Sequence, residues 1–150
     1  MTYPLKTILA GSLLVLLQTP AAVAQQPQAP RALAAPGDSV WVIVNSVKPD
    51  KRQQFEKFVN EVFWPAAKKL PQEEQRVFRQ TRVLYSGRPE KDGTYEYVFI
   101  MDPVVQGQDY DIEHLLQKMY TAERAAAYFK MFEDTLVGEQ KWYRMVQSRL

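Results

Sequence analysis

The chain has no cysteine and only one histidine among its 150 residues. The absence of thiols excludes disulfide bonds, a thiolate nucleophile, thiolate zinc sites and iron–sulfur ligation, so packing alone must hold the domain together. Glycine is scarce, at six residues. No Gly-rich phosphate loop, G-x-S-x-G motif or pair of catalytic carboxylates is found. The common catalytic signatures are therefore missing.

A strong excess of one charge is also lacking, because the formal net charge is only +2. Nucleic-acid-binding domains usually carry a pronounced basic surface. We therefore expect no nucleic-acid partner, and the sequence gives no reason to expect a cofactor.

Long hydrophobic runs are missing too. The one strongly apolar run, at residues 7–17, is about 11 residues long, whereas a bilayer span needs roughly 20. Lys6 precedes the run, and Ala22-Val23-Ala24 supplies the small residues that signal peptidase recognises. We predict a signal peptide at residues 1–24 and a periplasmic or secreted protein without stable membrane insertion. The alternative is an uncleaved anchor.

Three prolines in residues 25–38 predict a flexible tether, which leaves one domain at residues 39–150. Its clearest strand is at residues 95–101, where only Glu96 is polar, as is typical of a strand covered on both faces. Further strands are predicted at residues 40–47, 77–86 and 139–148. The second of these has a polar middle typical of an edge strand and follows a polar connector at residues 72–75.

Two helical regions separate the strands. The first begins after Asp50, a suitable N-cap, and Pro65 should bend or end it. Its apolar residues recur at helical spacing: Phe55, Phe58, Val59, Val62 and Phe63. The second starts near Ile112, breaks near Thr121 and continues to Gly138, which suits a C′ position.

The resulting order β-α-β-β-α-β predicts an α+β, ferredoxin-like fold with a four-stranded antiparallel sheet and both helices on one face. The first and third strands are then central. The other face would expose a large apolar patch, which rarely stays open on a monomer. We expect a homodimer, with the set Tyr95, Tyr97, Phe99 and Met101 facing the partner and Val98 and Ile100 facing the helices.

Two segments resemble a known group of proteins. Val-Lys-Pro-Asp-Lys at residues 47–51, before a helix with paired phenylalanines, is similar to the opening of the dimeric α/β-barrel superfamily, which includes the antibiotic biosynthesis monooxygenase-like domains. Thr-Ala-Glu-Arg-Ala-Ala-Ala-Tyr-Phe at residues 121–129 is similar to the start of their second long helix. The resemblance covers residues 40–148 and implies a dimeric barrel.

Members of this superfamily include cofactor-independent oxygenases, haem-degrading enzymes, isomerases and proteins without a known role, so the fold does not fix the function. The haem-degrading members use an Asn, a Trp and a His. Asn45 fits the first position, but Tyr128 and Phe129 stand where the His is expected. Trp64 lies on the first helix and is not a secure counterpart of the Trp. The resemblance therefore argues against haem degradation.

The catalytic residues remain unknown, but ligand-binding candidates can be named. They are polar or aromatic residues of the predicted strands: Asn45, Arg82, Tyr95, Tyr97, Phe99, Trp142 and Arg144. Asn45 could orient a carbonyl or simply begin a turn. Arg82 and Arg144 could hold a carboxylate, although a surface ion pair with Glu96 or Asp102 is the simpler expectation. The aromatic side chains could line a pocket for a flat ligand or form a dimer core.

Two further features favour ordinary structural roles. His114 lies off the apolar stripe of its helix, so we expect a solvated histidine rather than a general base or haem ligand. Asp109, Asp111 and Glu113 precede or open that helix and suit its dipole better than a metal site.

Three functions remain open. The favoured one is an exported dimer that binds a small apolar or aromatic molecule. The alternatives are a cofactor-independent monooxygenase- or isomerase-like enzyme, and a structural or interaction protein of the cell envelope.

Overall fold

The structure, a computed structural model, describes residues 32–149. The predicted signal peptide and the start of the predicted tether lie outside these residues. The strands are β1 (Ser39–Val47), β2 (Thr81–Tyr85), β3 (Tyr95–Met101) and β4 (Lys141–Val146). The described part has four helices, α1 (residues 52–67), α2 (Gln72–Gln80), α3 (Ile112–Met119) and α4 (Ala122–Glu133), and a 3₁₀ turn at Pro49–Lys51 leads into α1.

The four strands form one antiparallel sheet in the order β2-β3-β1-β4. This is the ferredoxin-like α+β arrangement, and it confirms that β1 and β3 are central and that β2 lies at an edge. The strongest strand of the sequence has the predicted bounds and pairs with both predicted neighbours. Within residues 32–149, no helix has the length and apolar character to cross a membrane.

Helix α1 changes its winding where a proline would interrupt it. Arg52–Lys57 is α-helical, Phe58–Phe63 is a π-helix and Trp64–Ala67 is α-helical again. Pro65 cannot donate to the preceding turn, and its ring crowds the carbonyl four residues earlier. The wider π turn gives that ring room, so the helix continues past Pro65. Asp50 is not the N-cap that was predicted, because it lies inside the 3₁₀ turn and makes no capping hydrogen bond.

Residues 72–80 form helix α2, so both the predicted polar connector and the early start of the second strand were wrong. Pro71 precedes this helix, and Glu73 and Glu74 favour its first turn. Val77 is buried against the core. The strand begins only at Thr81, whose hydroxyl donates to the Val77 carbonyl at 2.9 Å.

The second helical region has the predicted break. Helix α3 ends at Met119, and α4 begins at Ala122 after Thr121. However, α4 ends at Glu133, five residues before Gly138. Gly138 adopts a positive φ of 73° in the turn before β4, and is therefore a turn residue rather than the helix C′.

The two faces of the sheet are opposite to those expected. The set Tyr97, Phe99 and Met101 is buried under the helices, and the Tyr97 ring lies 4.5 Å from that of Phe55 on α1. Val98 and Ile100 therefore point to the face without helices. The prediction was wrong, because Tyr97 and Phe99 pack into the core between the sheet and the helices.

Part of the predicted tether belongs to the domain. The Ala34 backbone N–H donates to Asp102 Oδ1 at 2.8 Å, and the Gly37 N–H donates to the Gln147 carbonyl at 3.0 Å. The part of the chain that is hydrogen-bonded to the domain therefore begins before the predicted boundary at residue 39.

Candidate functional site

Six of the seven predicted ligand-binding residues share one face of the sheet. The strand register places Asn45 opposite Tyr97, Ile43 opposite both Phe99 and Trp142, and Trp41 opposite Arg144. Opposed residues of antiparallel strands lie on the same face, and Tyr95 follows by alternation. This face packs under the helices. Arg82 lies on the other face, opposite Ile100.

A small cavity of about 40 Å³ lies between the middle of this face and the helices. Its floor comes from the sheet and its roof from α1, α2 and α3. The lining is mostly aliphatic and aromatic: Ile43, Phe63, Trp64, Val77, Phe78, Phe99, Met101, Ile112 and Leu115, with Thr81, Tyr110 and Gln140 as polar members. Of the predicted candidates, Phe99 lines it directly.

The amide of Gln140 is one of the polar groups in this lining. Its Nε2 donates to Asn45 Oδ1 at 2.7 Å, and Asn45 Nδ2 donates to the Tyr97 carbonyl at 3.3 Å. Asn45 is only 1% exposed, so these bonds satisfy an amide that would otherwise be costly to bury. Asn45 therefore supports the site through Gln140 rather than lining it. Gln140 precedes β4 in a stretch without a distinctive motif, so the sequence did not point to it.

Tyr110 and Thr81 are the other polar groups of the cavity, and both are engaged with the backbone. The Tyr110 hydroxyl accepts from the Val105 N–H at 2.8 Å, while Thr81 donates to Val77. Burial raises the pKa of the Tyr110 hydroxyl, so the phenol keeps its proton at neutral pH. Neither group is poised to exchange protons near pH 7.

A second cluster lies at the other end of the same face, outside the cavity. Tyr97 donates its hydroxyl to Glu56 Oε1 at 2.5 Å, and Arg52 Nε lies 2.9 Å from the same oxygen. Arg52 Nε is also 3.3 Å from the Tyr97 hydroxyl. Helix α1 supplies Arg52 and Glu56 one turn apart, and β3 supplies Tyr97.

The ionisation of this cluster follows from its contacts. The Tyr97 hydrogen bond, with help from Arg52, holds the pKa of Glu56 below its usual value. Burial, followed by the Glu56 hydrogen bond, raises the pKa of Tyr97 to about 12. The cluster thus carries an ionised carboxylate, a guanidinium and a protonated phenol at neutral pH.

Arg144 and Trp142, also predicted as ligand-binding residues, stack at the edge of the sheet. The Arg144 guanidinium carbon lies 5.2 Å from the centroid of Trp41 and 5.5 Å from that of Trp142. The ion pair expected for Arg144 does not form within residues 32–149. Its guanidinium makes cation–π contacts with these two tryptophans instead.

Arg82 makes the expected ion pair, with Nη2 at 3.1 Å from Asp102 Oδ2. His114 is also as expected, since its side chain is exposed and lies 3.5 Å from Asp109. Asp111 caps α3 by accepting from the His114 backbone N–H at 3.0 Å, and Glu113 lies in the first turn. The acidic residues therefore serve the start of this helix.

Comparisons with known proteins give a structural likeness at low sequence identity. No known protein family and no curated protein sequence matches the chain. The fold is similar to that of a Caulobacter crescentus CB15 protein described as a candidate antibiotic biosynthesis monooxygenase, with a TM-score of 0.40 and 15% sequence identity. The match covers 76% of this chain and 92% of that one. The fold described above rests on the element order and strand register, not on this likeness.

Proposed function

We propose that the protein binds a small, mainly apolar molecule in the cavity between the sheet and the helices. The observation that carries this proposal is an internal space lined by aromatic and aliphatic side chains, with the Gln140 amide as a polar contact. Such a combination is typical of small-molecule sites, in which an apolar wall supplies affinity and a few polar groups fix the orientation.

The size of the cavity limits the ligand. A volume of about 40 Å³ holds roughly three water molecules. A ligand of single-ring size therefore requires part of the wall to move outward. Trp64 and Phe78 are the natural movable part, because both are only partly buried and meet edge to face, with centroids 5.6 Å apart.

We favour binding over catalysis because of the chemical groups that line the cavity. Gln140, Thr81 and Tyr110 can donate or accept hydrogen bonds, but the lining residues include no carboxylate, imidazole or amine. General acid–base catalysis works best with a group whose pKa lies near the working pH. A cofactor-independent oxygenase or isomerase remains the second candidate, favoured by the amide inside an otherwise apolar cavity, which could polarise a substrate carbonyl.

A titration with phenol tests the binding proposal, because phenol is a single ring with one polar group. In a ¹⁵N-labelled protein, phenol should shift the side-chain signals of Trp64 and Gln140 with a common saturation curve. The Trp142 indole signal, which lies outside the cavity lining, should move less and serves as the internal control. Equal small shifts of all three signals, without saturation, would show that phenol does not enter the cavity.

We also propose that the face of the sheet without helices pairs with a second copy of the chain. Its exposed residues include Leu84, Tyr143 and Met145, at 52%, 51% and 48% exposure. Val42, Val44, Val98 and Ile100 lie between them and are only partly covered. A contiguous apolar surface of this kind usually marks an interface. Pairing of two identical chains explains this surface more simply than a structural or interaction role in the cell envelope.

Two charged residues on this face support pairing with an identical copy. Arg82 and Glu96 are both partly exposed on this face, and Arg82 Nε and Glu96 Oε2 have no hydrogen-bond partner within residues 32–149. Arg82 lies beside Ile100 and Glu96 beside Ser46, so the two groups lie toward opposite ends of the strands. A two-fold axis perpendicular to the strands and parallel to the sheets would bring Arg82 toward the partner subunit's Glu96.

Export is the remaining part of the proposal and rests on the sequence of residues 1–24. Cleavage after Ala24 predicts that the protein recovered outside the cytoplasm begins at Gln25. N-terminal sequencing of that material would give Gln25 as the first residue, whereas recovery of an intact Met1 would contradict signal cleavage.

A further inference from the structure

Arg52 presents an unusual arrangement for a surface arginine. Its Nε is committed to Glu56 and Tyr97, at 2.9 and 3.3 Å. The two terminal nitrogens, Nη1 and Nη2, donate to no acceptor within residues 32–149, and neither is buried. About a third of the side chain, 33%, is exposed. Hydrogen bonds therefore hold the Nε side of the guanidinium, while its two terminal nitrogens are free to bind a ligand.

Two aromatic rings lie next to this guanidinium. The guanidinium carbon is 4.5 Å from the centroid of Tyr95 and 5.9 Å from that of Tyr85. Tyr85 stacks in turn on Tyr97, with centroids 6.0 Å apart and an interplanar angle of 25°. The hydrogen bonds at Nε and the contacts with the tyrosine rings already restrict the rotamers of Arg52. Less side-chain entropy is therefore lost when a ligand binds.

We propose that Arg52, with the exposed ring of Tyr85, forms a binding site for a small aromatic monocarboxylate. The carboxylate would accept from Nη1 and Nη2 together, the end-on arrangement that the guanidinium fork permits. The ligand's ring would lie against Tyr85, which is 62% exposed and adjoins the guanidinium.

The charges of the cluster select the ligand class. Glu56 lies 2.9 Å from Arg52 Nε and neutralises part of the guanidinium charge. A dianion such as phosphate would be repelled by this carboxylate, whereas a monoanion with a neutral ring meets less repulsion and gains contact with Tyr85. None of these residues lines the cavity beneath α2. The site is therefore separate from the cavity, and its test does not depend on the function proposed for it.

Benzoate is the probe for this site, and calorimetric titration of the full-length protein measures its binding. Benzamide, a neutral planar relative, separates carboxylate recognition from general affinity for a ring. We expect saturable binding of benzoate and at least about tenfold weaker binding of benzamide. Equal affinity for the two compounds, or no saturable benzoate binding, would overturn the proposal.

Variants then locate the binding. Arg52→Gln should weaken benzoate binding at least about tenfold, and Tyr85→Leu should weaken it about threefold or more. Arg52→Lys, which keeps the charge but lacks the fork, should also bind more weakly than the wild type. Arg124→Gln, which removes an exposed arginine of α4, should leave the affinity unchanged.

Circular dichroism confirms that each variant is folded before titration. Because Tyr85 is exposed, Tyr85→Leu tests the site even if a change at Arg52 disturbs the helix. Wild-type affinity in both Arg52→Gln and Tyr85→Leu would place benzoate elsewhere and contradict the assignment.

Discussion

The Gln140 side-chain amide donates to the buried Oδ1 of Asn45 at 2.7 Å, and this bond joins the segment before β4 to β1. One partner lines the cavity and the other is 1% exposed. The two amides therefore link the polar group of the candidate site to the interior of the sheet.

This link can be measured with a double-mutant cycle. Gln140→Leu leaves Asn45 Oδ1 without a donor, so the free energy of unfolding should fall by about 1–3 kcal/mol. Asn45→Val combined with Gln140→Leu removes both polar groups and should recover part of that loss. Urea unfolding gives the values. Additive effects of the two single changes would contradict the coupling.

The cavity should respond to a side chain that fills it. Val77→Ile adds one methylene to a residue of the lining, and burying that group should stabilise the fold by about 0.8 kcal/mol. Val47→Ile is the matched control, because Val47 is fully buried but does not line the cavity. Overpacking there should destabilise the fold by about 1–3 kcal/mol. Equal losses of unfolding free energy in both variants would mean that the cavity has no room for the methylene.

The Tyr97–Glu56 hydrogen bond predicts a pH-dependent contribution to stability. The bond lowers the pKa of Glu56 in the folded state, so its stabilisation is present above the carboxyl pKa of the unfolded chain. It is lost as the pH falls through the folded pKa. Tyr97→Phe should therefore be less stable than the wild type at pH 7, and the difference should shrink below about pH 4.

The control for this change is Tyr95→Phe. It removes a hydroxyl that makes no hydrogen bond within residues 32–149 and keeps the ring on which Arg52 lies. Denaturant unfolding at pH 7 and pH 3 compares the two variants. A constant difference between Tyr97→Phe and the wild type at both pH values would contradict the role of Glu56.

The proposed homodimer can be disrupted at the centre of its interface. Val98→Lys places a charge on the sheet face without helices and should convert the dimer to monomer at micromolar concentrations. Val137→Lys charges an exposed valine outside the sheet and should leave the assembly intact. Analytical ultracentrifugation distinguishes the two species. A monomeric wild type at micromolar concentration would contradict pairing.

The strand order could be predicted from the sequence because hydrophobic runs and turn residues are local signals. Residues 95–101 show this most clearly. The orientation of that strand could also have been inferred, because Glu96 alternates with Val98 and Ile100, and a carboxylate rarely faces a helix layer. Helix α2 was missed although Pro71 followed by Glu73 and Glu74 is a helix-start signal.

The site was only partly predictable. Arg52 and Glu56 are four residues apart and suggest a helical ion pair, but their contact with Tyr97 spans 45 and 41 positions in the chain. Gln140 likewise reaches Asn45 across 95 positions. Contacts of this range depend on sheet register and helix packing, which local patterns do not specify.

We propose above all that the cavity between the sheet and the helices binds a small apolar molecule. Calorimetric titration with phenol, carried out on the wild type and on Val77→Ile, tests it most directly. We expect saturable binding of one phenol per chain to the wild type and at least about tenfold weaker binding to the filled variant. Equal binding by the two proteins, or none by the wild type, would contradict it.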